Sequence, residues 1–239
     1  MMILWTALLI AAAPPGPKLY QSGEMRDLEA ILPVLKKYVA YVRVEAKAKD
    51  SGPLEGEERD GFGVVLDQNK IALLCFITTD ADKITVEGTN GKRSEAKVVL
   101  YDAERRVAIL ESKLPLKTLG LEPAPIAPKD ARKLDGEVFA LTTTGIEAAV
   151  LHGVFTYVGD EEEYGGHSRV DLLLERGMPV FDHAARFVGF SRNVAWDKDR
   201  QMLVTPEMIR DARTSTGAAT MKSPANEPQQ PAKKPWWSK

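Results

Sequence analysis

The side chains that could carry catalysis are few: one cysteine, Cys75, and three histidines, His152, His167 and His183. A lone cysteine excludes an internal disulfide and cannot build a thiolate metal site. Cys75 also lies inside the apolar run Ile71-Ala72-Leu73-Leu74-Cys75-Phe76-Ile77, where a thiol behaves as a small buried hydrophobe. His152 falls in a strand pattern, His167 in the turn Tyr164-Gly165-Gly166-His167, and His183 in the hairpin Asp182-His183-Ala184-Ala185. Hydrolysis through a displaced nucleophile would need Ser168 or Ser191 within reach of one of these rings. A metal would need Asp182 and His183, joined by the acidic run Asp160-Glu161-Glu162-Glu163, which reads more simply as a solvated loop. No metal site and no cofactor are expected.

The elements that would hold these groups are mostly strands. Positions 24–38 carry Met25, Leu28, Ile31, Leu32 and Leu35 at helical spacing, with Pro33 placed to bend or divide the helix. Alternation then takes over at 42–46, followed by a polar loop at 47–60. Short strands are predicted at 63–66, 71–76, 83–87, 95–101 and 107–112, separated by turn residues such as Asp67-Gln68-Asn69 and Gly88-Thr89-Asn90-Gly91. The proline-bearing stretch 119–129 reads as a connection between two strand sets. The second set covers 137–142, 150–158, 169–174, 179–181, 187–191 and 201–204. Pro206 then opens a short closing helix over 206–213. This regular spacing predicts an all-β barrel or sandwich architecture rather than βαβ units.

The chain of 239 residues is 44% apolar, enough for a substantial core, and 28% charged. Its formal net charge of -2 gives no general attraction to nucleic acid or anionic lipid. Residues 1–13 have the apolar length and small-residue ending of a signal-peptide core, although no Lys or Arg precedes the run. They are expected to be either a cleaved leader or an N-terminal anchor, which makes the protein exported, to a periplasm or cell envelope. A breaker-rich linker spans 14–23. From 214 onward the composition turns proline-rich and polar, and a flexible tail is expected. It ends in Lys233-Lys234-Pro235-Trp236-Trp237-Ser238-Lys239. Trp236 and Trp237 among lysines suit a membrane surface or a partner groove, or simply a solubilising end.

Three blocks in order, Gly61 to Leu66 with Ile71 to Val86, Gly91 to Leu110, and Val170 to Phe190, followed by Val204, Pro206 and Ile209, make residues 24–213 resemble the HtrA group of trypsin-like serine proteases. The stretch Gly61-Phe62-Gly63-Val64-Val65-Leu66 is similar to the family's GSGF element. The run from Ile71 to Val86 matches, without gaps, the stretch that holds the catalytic histidine, and the histidine position carries Phe76. Gly91, Ala96, Val98, Val99 and Asp102 match the next block, but the catalytic aspartate falls at Arg106. Around Gly177-Met178-Pro179-Val180-Phe181, followed by Arg186-Phe187-Val188-Gly189-Phe190, the nucleophilic serine falls at Arg176. Aligning Asp171 there removes about three residues from the loop that builds the oxyanion hole. Val204, Pro206 and Ile209 fit the family's closing motif. The resemblance implies a trypsin-like double β-barrel with barrels at about 38–118 and 130–205, framed by a short N-terminal and a short C-terminal helix.

It also implies loss of the chemistry. Family-type hydrolysis needs a nucleophilic oxygen, a base that accepts its proton and a carboxylate that orients the base. Phe76 accepts no proton, Arg106 stays cationic and Arg176 is no nucleophile. The expected function is therefore a pseudoprotease: an exported protein-binding or scaffolding module, taking a protein or peptide partner. The alternatives are a hydrolase with a relocated site and a structural part of an envelope complex. Two guanidinium groups at one spot repel unless an anion joins them. Glu175 or Asp102 is expected to pair with one arginine, and Phe76 to lie beneath the other as a cation–π partner. Such a cleft is either vestigial or takes a carboxylate-bearing ligand. Phe76, Arg106, Glu175 and Arg176, with Trp236 and Trp237, are the candidate contacts.

Overall fold

A computed structural model of the chain describes residues 25–46, 58–144, 147–158, 168–172, 174–192 and 201–212. The leader and the tail, with Trp236, Trp237 and His167, lie outside them. Helix α1 (Met25–Tyr38) runs straight into β1 (Val39–Ala46). It is continuous through Pro33, and its buried Ile31 and Leu35 pack on the second half of the molecule. The strands β2 (Glu58–Val65), β3 (Lys70–Leu74), β4 (Ala81–Glu87), β5 (Arg93–Asp102) and β6 (Val107–Ser112) close with β1 into an antiparallel barrel. A second six-stranded barrel holds β7 (Glu137–Thr144), β8 (Glu147–Tyr157), β9 (Arg169–Val170), β10 (Pro179–Asp182), β11 (Phe187–Ser191) and β12 (Gln201–Val204). Helix α2 (Pro206–Arg210) follows, with its proline in the first turn.

The apolar patterning sorts residues between two cores. In β1, Ala40, Val42 and Val44 fill the first barrel, while Val39 on the other face joins the seam with the second barrel. In β3, Ile71 and Leu73 point inward, and Ala72 and Leu74 meet the seam. This is why Ile71–Leu74 is apolar without alternation: both faces are covered. The seam continues into the second barrel through Phe139, Phe155, Phe181, Phe187 and Phe190, all 2% exposed or less. Phe187 meets Phe181 and Phe190 edge-on, with centroids 5.8 and 4.9 Å apart.

The connection between barrels is tied to both. Glu122 N–H donates to the Lys37 carbonyl (2.8 Å), Ala124 N–H to Val65 (2.9 Å), and Ala127 N–H to Phe187 (3.0 Å).

Several boundaries differ from the sequence reading. Strand β2 starts at Glu58, inside the expected polar loop, because Arg43 pairs with Glu58 at 3.0 Å and Tyr41 donates to Asp60 across β1. Strand β9 is only two residues long, where 169–174 was expected to be extended. The largest difference lies at the site, where β3 stops at Leu74.

Candidate functional site

After Leu74 the chain coils into a short 3₁₀ turn, Cys75–Thr78, instead of continuing as a strand. Local hydrogen bonds explain the change. Cys75 N–H donates to the Arg106 carbonyl (2.9 Å), and the Thr78 hydroxyl folds back onto the Cys75 carbonyl (3.0 Å). The threonine oxygens thus offer the backbone an alternative to the ladder. Phe76 is lifted to the rim, half-buried, between both barrel cores.

Arg106 ends the tight turn between β5 and β6 in the left-handed region, at φ 62°. This conformation is uncommon for a residue with a Cβ. Asp102, 2% exposed, fixes the turn by accepting the Arg105 amide at 2.9 Å and its guanidinium at 3.1 Å. The expected partner of Asp102 was a site arginine. The i,i+3 reach within this turn brings Arg105 to it.

Arg176 sits in the turn before β10, beside Gly177 at φ 89°. Its guanidinium carbon lies 4.3 Å from the Phe76 ring centroid, a cation–π contact. Glycine at 177 permits the backbone angle, and the Phe76 ring lies beside it at ordinary contact distance. Glu175 is exposed and forms no ion pair among the described residues. Both Arg106 and Arg176 lie close enough to Cys75 to favour its thiolate. Burial outweighs them and pushes the thiol up. The structure therefore brings Phe76 and Arg176 into contact and places Arg106 directly behind the turn that carries Phe76.

The turn at 175–178 is fastened from below by Ser191, which is fully buried. Its hydroxyl accepts the Met178 amide at 2.8 Å and donates to the Glu175 carbonyl. Gly177 N–H donates to the Ser191 carbonyl at 2.8 Å. The amides of residues 177 and 178 thus point into the second barrel and are spent there. Replacing Ser191 with Ala will leave the Met178 amide and Glu175 carbonyl unpaired, at a cost of about 1–3 kcal/mol. Hydrogen exchange at Met178 should rise with the loss. Unchanged protection and unchanged stability would show that this serine does not hold the turn.

Neither Ser168 nor Ser191 bonds a histidine among the described residues. His152 stacks on Phe139 with centroids 5.2 Å apart and approaches Glu137 at 3.8 Å. His183 is exposed on the hairpin. The neighbouring Asp182 has no coordination capacity to spare. Its oxygens accept the Ala184 and Arg186 amides (3.0 and 2.9 Å) and the Arg186 guanidinium (2.8 Å).

One feature escaped sequence reasoning. A cleft of about 380 Å³ opens beside Phe76, lined by Arg43, Glu58, Arg59 and Asp60. Glu58, Arg59 and Asp60 stand at the end of the expected polar loop, and the pairing of β2 with β1 brings them beside Arg43 and Phe76. Arg59 donates to the Phe76 carbonyl at 3.1 Å and to the Thr79 carbonyl, clamping the 3₁₀ turn from outside. Tyr41 donates to Asp60, and burial followed by that carboxylate raises the phenol above its ordinary value.

No family profile matches this sequence, and no curated protein does. Solved structures do match in fold. An HtrA-type protease, AlgW, solved with a tripeptide, is similar with a TM-score of 0.59 at 15% identity, over 73% of this chain and 58% of that one. A serine-to-alanine form of that protease gives 0.59 at 16% identity, over 72% and 57%. The chain thus spans less than three fifths of those structures. Its fold is the trypsin-like double barrel of HtrA-type proteases.

Proposed function

We propose that this double barrel is a non-cleaving relative of the HtrA-type proteases, which binds a protein or peptide where the proteases cut. The observation that supports this most is the Arg176 guanidinium resting on the Phe76 ring at 4.3 Å. The positions that match the nucleophile and the base hold a cation stacked on an aromatic, and neither can exchange a proton with a substrate at neutral pH. Arg106, matching the orienting carboxylate, adds a second cation. Removing any one triad member forfeits most of the rate, and this chain carries a substitution at all three positions.

The leader-like residues 1–13 support export to a periplasm or cell envelope. Residues 1–13 and the Trp236-Trp237 tail are two routes to membrane association.

A hydrolase with a displaced site is the competing reading, favoured by the fold's kinship with proteases. The buried and doubly bonded hydroxyl of Ser191 weighs against it. Incubating the purified full chain with casein separates the two. The proposal expects intact casein after prolonged incubation. Fragments that persist in an Arg176→Met variant would point to a displaced nucleophile and end the proposal.

A further inference from the structure

We propose that the cleft between β2 and the Phe76 turn is a binding site for the free carboxylate of a peptide C-terminus, with Arg59 as its cation. This deepens the reading of the chain as a binding module by giving that module a ligand class.

Arg59 is the second residue of β2. Its cross-strand partner in β1 is Val44, a fully buried residue of the first barrel's interior. Directly opposed residues share a face of the sheet, so Arg59 rises from the interior side and closes the end of that barrel. A guanidinium has five N–H donors. Two are used here, and both go to neutral carbonyls, those of Phe76 and Thr79. The Nε is buried and has no hydrogen-bond partner. A partly buried cation without a counter-ion is costly, and a carboxylate that reaches it relieves that cost with charge-assisted hydrogen bonds.

The acids on the cleft wall do not supply that counter-ion. Glu58 is engaged by Arg43 at 3.0 Å. Asp60 is engaged by the Tyr41 hydroxyl and forms no ion pair among the described residues. Both belong to the outer face of the barrel, opposite across β1 to Glu45 and Arg43. The cleft therefore offers three things at once: donors from Arg59, an acceptor at Asp60 and the half-buried ring of Phe76. A chain terminus presents the complementary set, since its last residue carries a carboxylate, an amide N–H and a side chain. The volume of about 380 Å³ lies at the small end of ligand pockets and suits a terminus better than a folded surface.

N-acetyl-leucine is the simplest probe with all three groups, and N-acetyl-leucinamide differs from it only in the carboxylate. Titrating each into the isotope-labelled full chain, with amide shifts of Gly61, Ile77 and Thr79 followed by NMR, gives the test. The proposal expects saturable shifts with the acid and at least about tenfold weaker binding of the amide. N-acetyl-glutamic acid α-amide carries its carboxylate on the side chain only. If it binds as well as the terminal acid, the terminus is overturned as the source. An Arg59→Lys variant keeps the charge but loses the fork, and should bind the acid about tenfold more weakly. Should that variant fail to fold, the contrast between acid and amide in the native chain still decides. Equal shifts with acid and amide, or none, overturn the proposal. Casein digestion, run in parallel, reports on the non-cleaving reading separately, because neither outcome of the titration depends on it.

Discussion

Arg132→Met will destabilise the protein by about 3 kcal/mol or more, the largest loss expected from any single side chain outside the apolar core. Arg132 follows the short 3₁₀ turn Lys129–Ala131 and reaches Glu207 in the first turn of α2 at 2.7 Å. The side chains are only 4% and 14% exposed. The contact is a close ion pair. It fastens the entrance of the second barrel to the chain's closing helix. Removing the cation alone strands a largely buried carboxylate. Removing both, as in Arg132→Met with Glu207→Leu, should recover much of the loss, since the net value of a buried pair over an apolar substitute is small. Urea denaturation of the two variants checks both statements.

The same pair sets a pH dependence. Burial pushes the Glu207 carboxyl up, but its own backbone amide and the Arg132 guanidinium more than offset this, leaving it below the ordinary glutamate value of 4.5. A carboxyl lowered on folding contributes stability that is complete above the unfolded value and fades as pH falls through the folded one. The native chain should therefore lose stability below about pH 4.5, more steeply than the double variant. Parallel acid curves for the two would remove Glu207 from the account.

Asp182→Ala will cost about 3 kcal/mol, chiefly from two amides left unpaired in the turn, with a smaller loss from the part-exposed Arg186 guanidinium. The carboxylate is 2% exposed and organises the hairpin between β10 and β11, where Ala185 adopts φ 57°. Its Oδ1 accepts the amides of Ala184 and Arg186, and its Oδ2 accepts the Arg186 guanidinium through two nitrogens at 2.8 Å. The hairpin strands carry Met178 and Ser191 at their far ends, so loosening it should also raise exchange at the 175–178 turn. Asn at 182 keeps an acceptor and should recover part of the stability. Thermal unfolding measures the loss, at roughly 2–4 °C per kcal/mol for a chain of this size. A drop below about 2 °C would mean that Asp182 is dispensable to the hairpin.

The strand order was largely legible because period-two alternation and turn residues mark it, and the closing strands fall where the pattern puts them. Ile71–Leu74 shows the limit of that signal. An apolar run says that both faces are covered, but it does not say that the chain will coil at Cys75. That event depends on the Arg106 carbonyl, thirty-odd residues away, and on two threonine hydroxyls. The meeting of Phe76 with Arg176 could be read from the sequence because a familiar block order fixes both positions. The partners of their neighbours could not. Asp102 takes Arg105 as a partner because the two lie three residues apart in one turn. Arg59 was invisible because it looked like one charge in a polar loop. Its role comes from the pairing of Val44 with its own position, which puts a cation on the inner side of a barrel.

If this double barrel is the non-cleaving relative proposed above, none of its serines is activated for acyl transfer. Intact mass spectrometry after incubation with a serine-directed fluorophosphonate should then find an unmodified chain. A stoichiometric adduct on a single serine of the folded protein, absent when the probe is added to unfolded chain, would instead reveal a working nucleophile.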